Sequence, residues 1–79
     1  MDYDTDAVDE VILALLHLTS FDDHGVTRAW KGHDWSALQR LHESGFISDP
    51  KSTARSIVFT PEGAKKAESL FAEHFGKAV

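Results

Sequence analysis

The stretch Gly45–Gly63, "GFISDPKSTARSIVFTPEG", decides how the chain is organised. Phe46 and Ile47 begin a strand directly after a glycine, and "SDPKSTAR" is dense in turn formers. In "SIVFT", Ile57 and Phe59 alternate with Ser56, Val58 and Thr60, the period of a strand with one buried side. Thr60, Pro61 and Glu62 then supply an N-cap, a first-turn proline and a first-turn acid, so a helix starts sharply at residue 61. The stretch therefore predicts a two-stranded hairpin with a long loop that feeds the last helix.

Upstream, "DWSALQRLHESG" predicts a helix over residues 35–44, with Asp34 as its cap and Gly45 where a left-handed residue ends it. Trp35, Leu38, Leu41 and His42 share its inner face, so Trp35 is expected in the core; Ser36, Gln39, Arg40 and Glu43 lie opposite. Further back, "FDDHGVTRAWKGH" is interrupted by Gly25 and Gly32. Thr27 there caps at most one turn containing Arg28, Ala29 and Trp30, a stunted second helix over 27–32.

The amino-terminal "TDAVDEVILALLHLTS" predicts a first helix over 6–20, capped by Thr5 or Asp6. At 100° per residue, Val8, Val11, Ile12, Leu15, Leu16 and Leu18 form one broad apolar face, a stripe wide enough to favour a subunit contact. Asp9, Glu10, His17 and Ser20 lie opposite. Leu13 falls among them and reads either as a tolerated surface leucine or as a seam for a second subunit. On the last helix, Ala64, Ala67, Leu70, Phe71, His74, Phe75 and Ala78 run down one face. That stripe reads as core, with Phe71 and Phe75 as candidates for an interface with another subunit.

Helix, short helical turn, helix, hairpin and helix is the order of a winged helix, an α+β single domain over residues 1–79 with a two-stranded wing. Leu38, Leu41, Gly45, Phe46, Ile47, Arg55, Thr60 and Gly63 also resemble the run common in bacterial winged-helix regulators. Over nearly the whole chain, "FDDHGVTRAWKG", "DW.AL.RLHE.G.ISDP" and "T.EG" resemble a family of small bacterial proteins defined only as a domain of unknown function. That resemblance implies the fold and carries no substrate, cofactor or activity.

The 79 residues allow one small core and leave little room for a catalytic cleft, so a non-enzymatic chain without a cofactor is expected. Without cysteine there is neither a disulfide nor a thiolate zinc site. "MDYDTD" lacks the basic and apolar regions of a leader, and "VILALL" is too short to cross a bilayer; a cytoplasmic chain with no membrane partner is expected. The formal charge of -5 is uneven: residues 1–23 hold seven acids and no Lys or Arg, whereas the remainder holds six acids and eight bases.

Two partner classes follow. Nucleic acid, DNA in particular, would meet Arg28, Lys31, Arg40, Lys51 and Arg55, cations that a winged helix brings to one side, with Ser36, Gln39 and Arg40 reading bases. Protein, including a second copy of the chain, would meet Leu13, Trp30, Phe71 and Phe75. Trp30 and Trp35 could also stack on a base or a peptide. No metal is expected, because none of His17, His24, His33, His42 and His74 stands three or four residues from another on one helix. His42 and His74 read as partly buried and satisfied, His24 and His33 as solvated loop residues. No serine has an elbow motif or paired base around it, and the glycines are too dispersed for a phosphate loop.

Overall fold

Each helix starts at a side-chain oxygen that accepts the amide three residues on. Asp4 accepts from Ala7 (3.1 Å), Asp34 from Ala37 (3.0 Å) and Thr60 from Gly63 (2.9 Å), each satisfying a donor that the first helical turn leaves unpaired. The computed structural model describes residues 1–77; Ala78, expected on the last helical stripe, lies outside them. The helices are α1 (Thr5–Leu18), α2 (Trp35–Glu43) and α3 (Pro61–Phe75), and the strands β1 (Phe21–Asp23), β2 (Val26–Trp30) and β3 (Ser56–Val58). The cap of α1 is Asp4, one residue before the two expected.

Residues 27–32 do not make a second helix. Val26–Trp30 is the central strand of an antiparallel sheet of order β1-β2-β3. The two-residue turn His24–Gly25 has φ of 50° and 85°, the left-handed pair that matches the twist of a tight hairpin. Thr27 spends its hydroxyl on Asp22 across that hairpin (3.1 Å) instead of capping a helix. The sheet thus has three strands where a two-stranded wing was expected, and the helix-turn-helix unit lacks its second helix.

The pair expected between Phe46–Ile47 and 56–60 is reduced to one bridge, Ile47 with Phe59, extended by Ser48 N–H donating to the Val58 carbonyl (2.8 Å). The ladder partner of β3 is β2, with Arg28 opposite Val58, Ala29 opposite Ile57 and Trp30 opposite Ser56. Ala29 and Ile57 are fully buried on the inner face, which joins Leu13, Leu16, Leu38, Leu41, Ile47, Phe59, Ala67 and Leu70 in one core.

Local chemistry sets the joint between α2 and α3. Gly45 (φ 83°) ends α2, and the Phe46 amide returns to the Leu41 carbonyl at 3.1 Å. The Thr60 amide donates to the Phe46 carbonyl (3.0 Å), which lies so close to α3 that a methyl on Gly63 would overlap it. Glycine at residue 63 is therefore a steric requirement, although it stands inside a helix.

Two core assignments are corrected. Leu13, expected at the surface or on a seam, is 1% exposed and central to the core. Trp35, expected inside, is 51% exposed, because it is the first residue of α2 and its side chain leans back past the packed end of the helix.

Candidate binding surfaces

The cations proposed from sequence to line one phosphate-binding side have different employments. Arg40 points from α2 onto Asp9 of α1 and donates two hydrogen bonds, Nε to Oδ2 at 2.7 Å and an Nη to Oδ1 at 2.8 Å. The Asp9 side chain is only 13% exposed. Bonding to Asp9 raises Arg40 above its ordinary pKa, the carboxylate's charge adding to this and burial opposing it, so the guanidinium stays charged. Gln39, the other expected base reader, buries its Oε1 without a hydrogen-bond partner, and Ser36 is exposed at the start of α2.

Lys31 is spent on the 49–55 loop, its ammonium donating to the carbonyls of Pro50 (2.7 Å) and Ser52 (2.8 Å). Arg28 donates to the Ser56 hydroxyl (3.1 Å), and its Nε lies 3.5 Å from Asp23 and has no hydrogen bond. Lys51 and Arg55 are exposed and, among the described residues, their side chains enter no hydrogen bond or ion pair. The structure therefore gathers Arg28, Lys31, Lys51 and Arg55 around the end of β2 and sets Arg40 apart on α2.

Of the apolar candidates, Trp30 is 57% exposed on the outer face of the sheet, with its ring centroid 5.0 Å from that of Phe21. Phe71 is half-buried between His17 (5.4 Å) and Phe75 (5.5 Å), and Phe75 is largely open to solvent. Leu13 is removed from any interface by its burial.

The apolar stripe of α1, read as favouring a subunit contact, is only partly covered, and what the sequence did not show is which arc of it stays open. Val8, Val11 and Leu15 are only half-buried, and Leu18 is 62% exposed. They lie within about 80° of one another on a helical wheel. Ala7, Val8, Val11 and Ile12 alone line an open hollow of about 300 Å³ there. The opposite side, read as polar, is the packed one. There Asp9 pairs with Arg40, Glu10 meets His74 (3.4 Å) and His17 packs on Phe71.

The histidines remain apart. His42 Nδ1 bonds to the Ile47 carbonyl (3.0 Å), as a half-buried satisfied histidine should, and His24 stands in the hairpin turn beside Asp23 (2.6 Å). His74, expected to be partly buried, is an exposed residue at the end of α3. Among the described residues no three His, Asp or Glu side chains gather as a metal would require, and no helix is long and apolar enough to cross a membrane.

Comparison with known proteins adds kinship without chemistry. A family model described as "Domain of unknown function (DUF6429)" matches residues 4–77. The "Uncharacterized protein y4hR" of Sinorhizobium fredii (strain NBRC 101917 / NGR234) is 45% identical over 75 residues, covering 95% of this chain and 97% of that protein. No solved structure matches the chain.

Proposed function

We propose that this chain, which belongs to the family described as a domain of unknown function (DUF6429), is a protein-interaction module that pairs with a second copy of itself through α1. The observation that carries this reading is the line Val8, Val11, Leu15 and Leu18, apolar and incompletely covered on a chain in which 27% of residues are charged. Between Asp4 at the head of α1 and Leu18 at its end, no charged residue lies on that face. The acids of α1, Asp6, Asp9 and Glu10, point elsewhere. An antiparallel two-fold contact sets the partially positive backbone start of each α1 beside the partially negative carboxy-terminal end of the other and keeps the two acidic starts apart. Asp4 then sits beside the polar Thr19 rather than a second acid.

Magnitude decides how strong the contact is. A few half-covered aliphatic side chains per copy give a face at the small end of specific interfaces, below about 1,200 Å² in total. Such a gain only just exceeds the cost of association, which places the dissociation constant on the order of 100 µM. Sedimentation from about 10 µM to about 1 mM should show the mass rising toward that of a dimer. Leu18→Asp with Val11→Asp should hold it at one copy. A wild-type chain that stays monomeric across the range would sink the reading.

Regulatory DNA binding through α2 has less support. The bidentate pair with Asp9 takes Arg40 from the base-reading role, and Gln39 turns its oxygen inward. The likeness to a winged helix rests on the order α2, β3, α3 and the joint at Gly45. That order does not by itself bring a recognition helix to a groove.

A further inference from the structure

The outward face of the sheet combines features that neither the α1 contact nor the core uses. Register places Phe21 opposite Arg28, Arg28 opposite Val58, and Trp30 opposite Ser56, all on the side away from the buried Ala29–Ile57 pair. Trp30 and Phe21 lie 5.0 Å apart, their planes tilted by 34°, and the indole is more than half exposed. The Lys31 amide donates to the Arg55 carbonyl (3.3 Å), which fixes Arg55 beside the end of β2. The Lys31 ammonium draws in the loop that carries Lys51. Against these four cations stand Asp23, beside Arg28, and Asp49, whose Oδ1 accepts the Lys51 amide (2.9 Å).

We propose that this face is a binding site for single-stranded nucleic acid, with one base stacked on Trp30 and the flanking phosphates met by Lys51 and Arg55. The chemistry favours that occupant over an acidic peptide. An exposed indole supported by a second ring offers a flat π surface that a base covers, whereas carboxylates would use only the cations. A single strand also fits better than a duplex, whose bases are already stacked and cannot reach the ring. Arg28 stays in the sheet, its guanidinium held by the Ser56 hydroxyl and offset by Asp23, so the phosphates fall to Lys51 and Arg55.

The test is fluorescence anisotropy of a labelled short oligothymidylate titrated with the chain at low salt. Binding should weaken with a log–log salt slope of roughly −0.7 for each phosphate engaged. Trp30→Ala should weaken it by about tenfold or more, while Trp30→Phe retains most of it. Lys51→Glu with Arg55→Glu, both at exposed loop positions, should abolish binding without touching the core. A duplex of the same length and a polyaspartate peptide serve as competitors. Equal competition by the duplex would overturn base stacking, and equal competition by the peptide would assign the face to acidic proteins instead. No anisotropy change at low salt would remove the site altogether. None of these outcomes depends on self-association, because the variants leave α1 untouched.

Discussion

The two sides of α1 share the core unevenly: from the apolar face only Ile12 and Leu16 are buried, and the side that composition marks as polar packs more closely. The side bearing Asp9, Glu10 and His17 is packed against α2 and α3, and the side bearing Val8, Val11, Leu15 and Leu18 is left half open. The difference teaches that polarity along a helix marks solvent only when no neighbour supplies a partner. Here Arg40, His74 and Phe71 do supply them, so Leu13 is buried among residues that look like a surface. An apolar arc left over on such a helix is then a surface in need of cover.

The sharpest way to break this comparison is at Leu13. Leu13→Ala should cost roughly 2–5 kcal/mol in urea-induced unfolding, the range for emptying a buried leucine, and Leu13→Asp should prevent folding altogether. A folded Leu13→Asp chain would return the residue to the surface. Next in size comes Asp9→Asn, which leaves the Arg40 guanidinium a neutral acceptor. Its unfolding midpoint should fall by less than that of Leu13→Ala and by more than any change on the open side.

On that open side, Leu18→Asp should change monomer stability by no more than about 0.5 kcal/mol while weakening self-association by about tenfold. A large loss of stability with no change in mass would mean that Leu18 closes the core instead of an interface. Smallest of all, Glu10→Gln should shift stability by well under about 0.5 kcal/mol, since its contact with His74 is solvent-exposed and screened.

Local rules were enough for much of the fold. Asp34, Gly45, Thr60 and Pro61 announce where α2 begins and ends and where α3 begins, because a cap or a left-handed turn is decided within four residues. Val26–Trp30 escaped the same reading because its strand state depends on β3, some thirty residues away. The only local hint was His24–Gly25 as a two-residue turn between Asp22 and Thr27. The exposure of Trp30 was legible and that of Trp35 was not. The wheel gave Trp35 the direction of Leu38 without showing that the first turn projects past the core.

The cations divide in the same manner. Lys51 and Arg55 were identifiable from a polar loop, whereas the capture of Arg40 by Asp9 joins residues thirty-one apart and no spacing rule reveals it. The face of α1 is the extreme case, since its orientation is fixed jointly by α2, α3 and β2, and only the packed chain shows which arc is left uncovered.

The measurement that reaches the central claim most directly is an isotope-filtered nuclear Overhauser experiment on an equal mixture of labelled and unlabelled chain near millimolar concentration. Cross-copy contacts among the methyl groups of Val8, Val11, Leu15 and Leu18, with none from Leu13, are the predicted result. Contacts that arise from other residues, or no cross-copy signal at a concentration where most of the chains should be paired, would contradict the account.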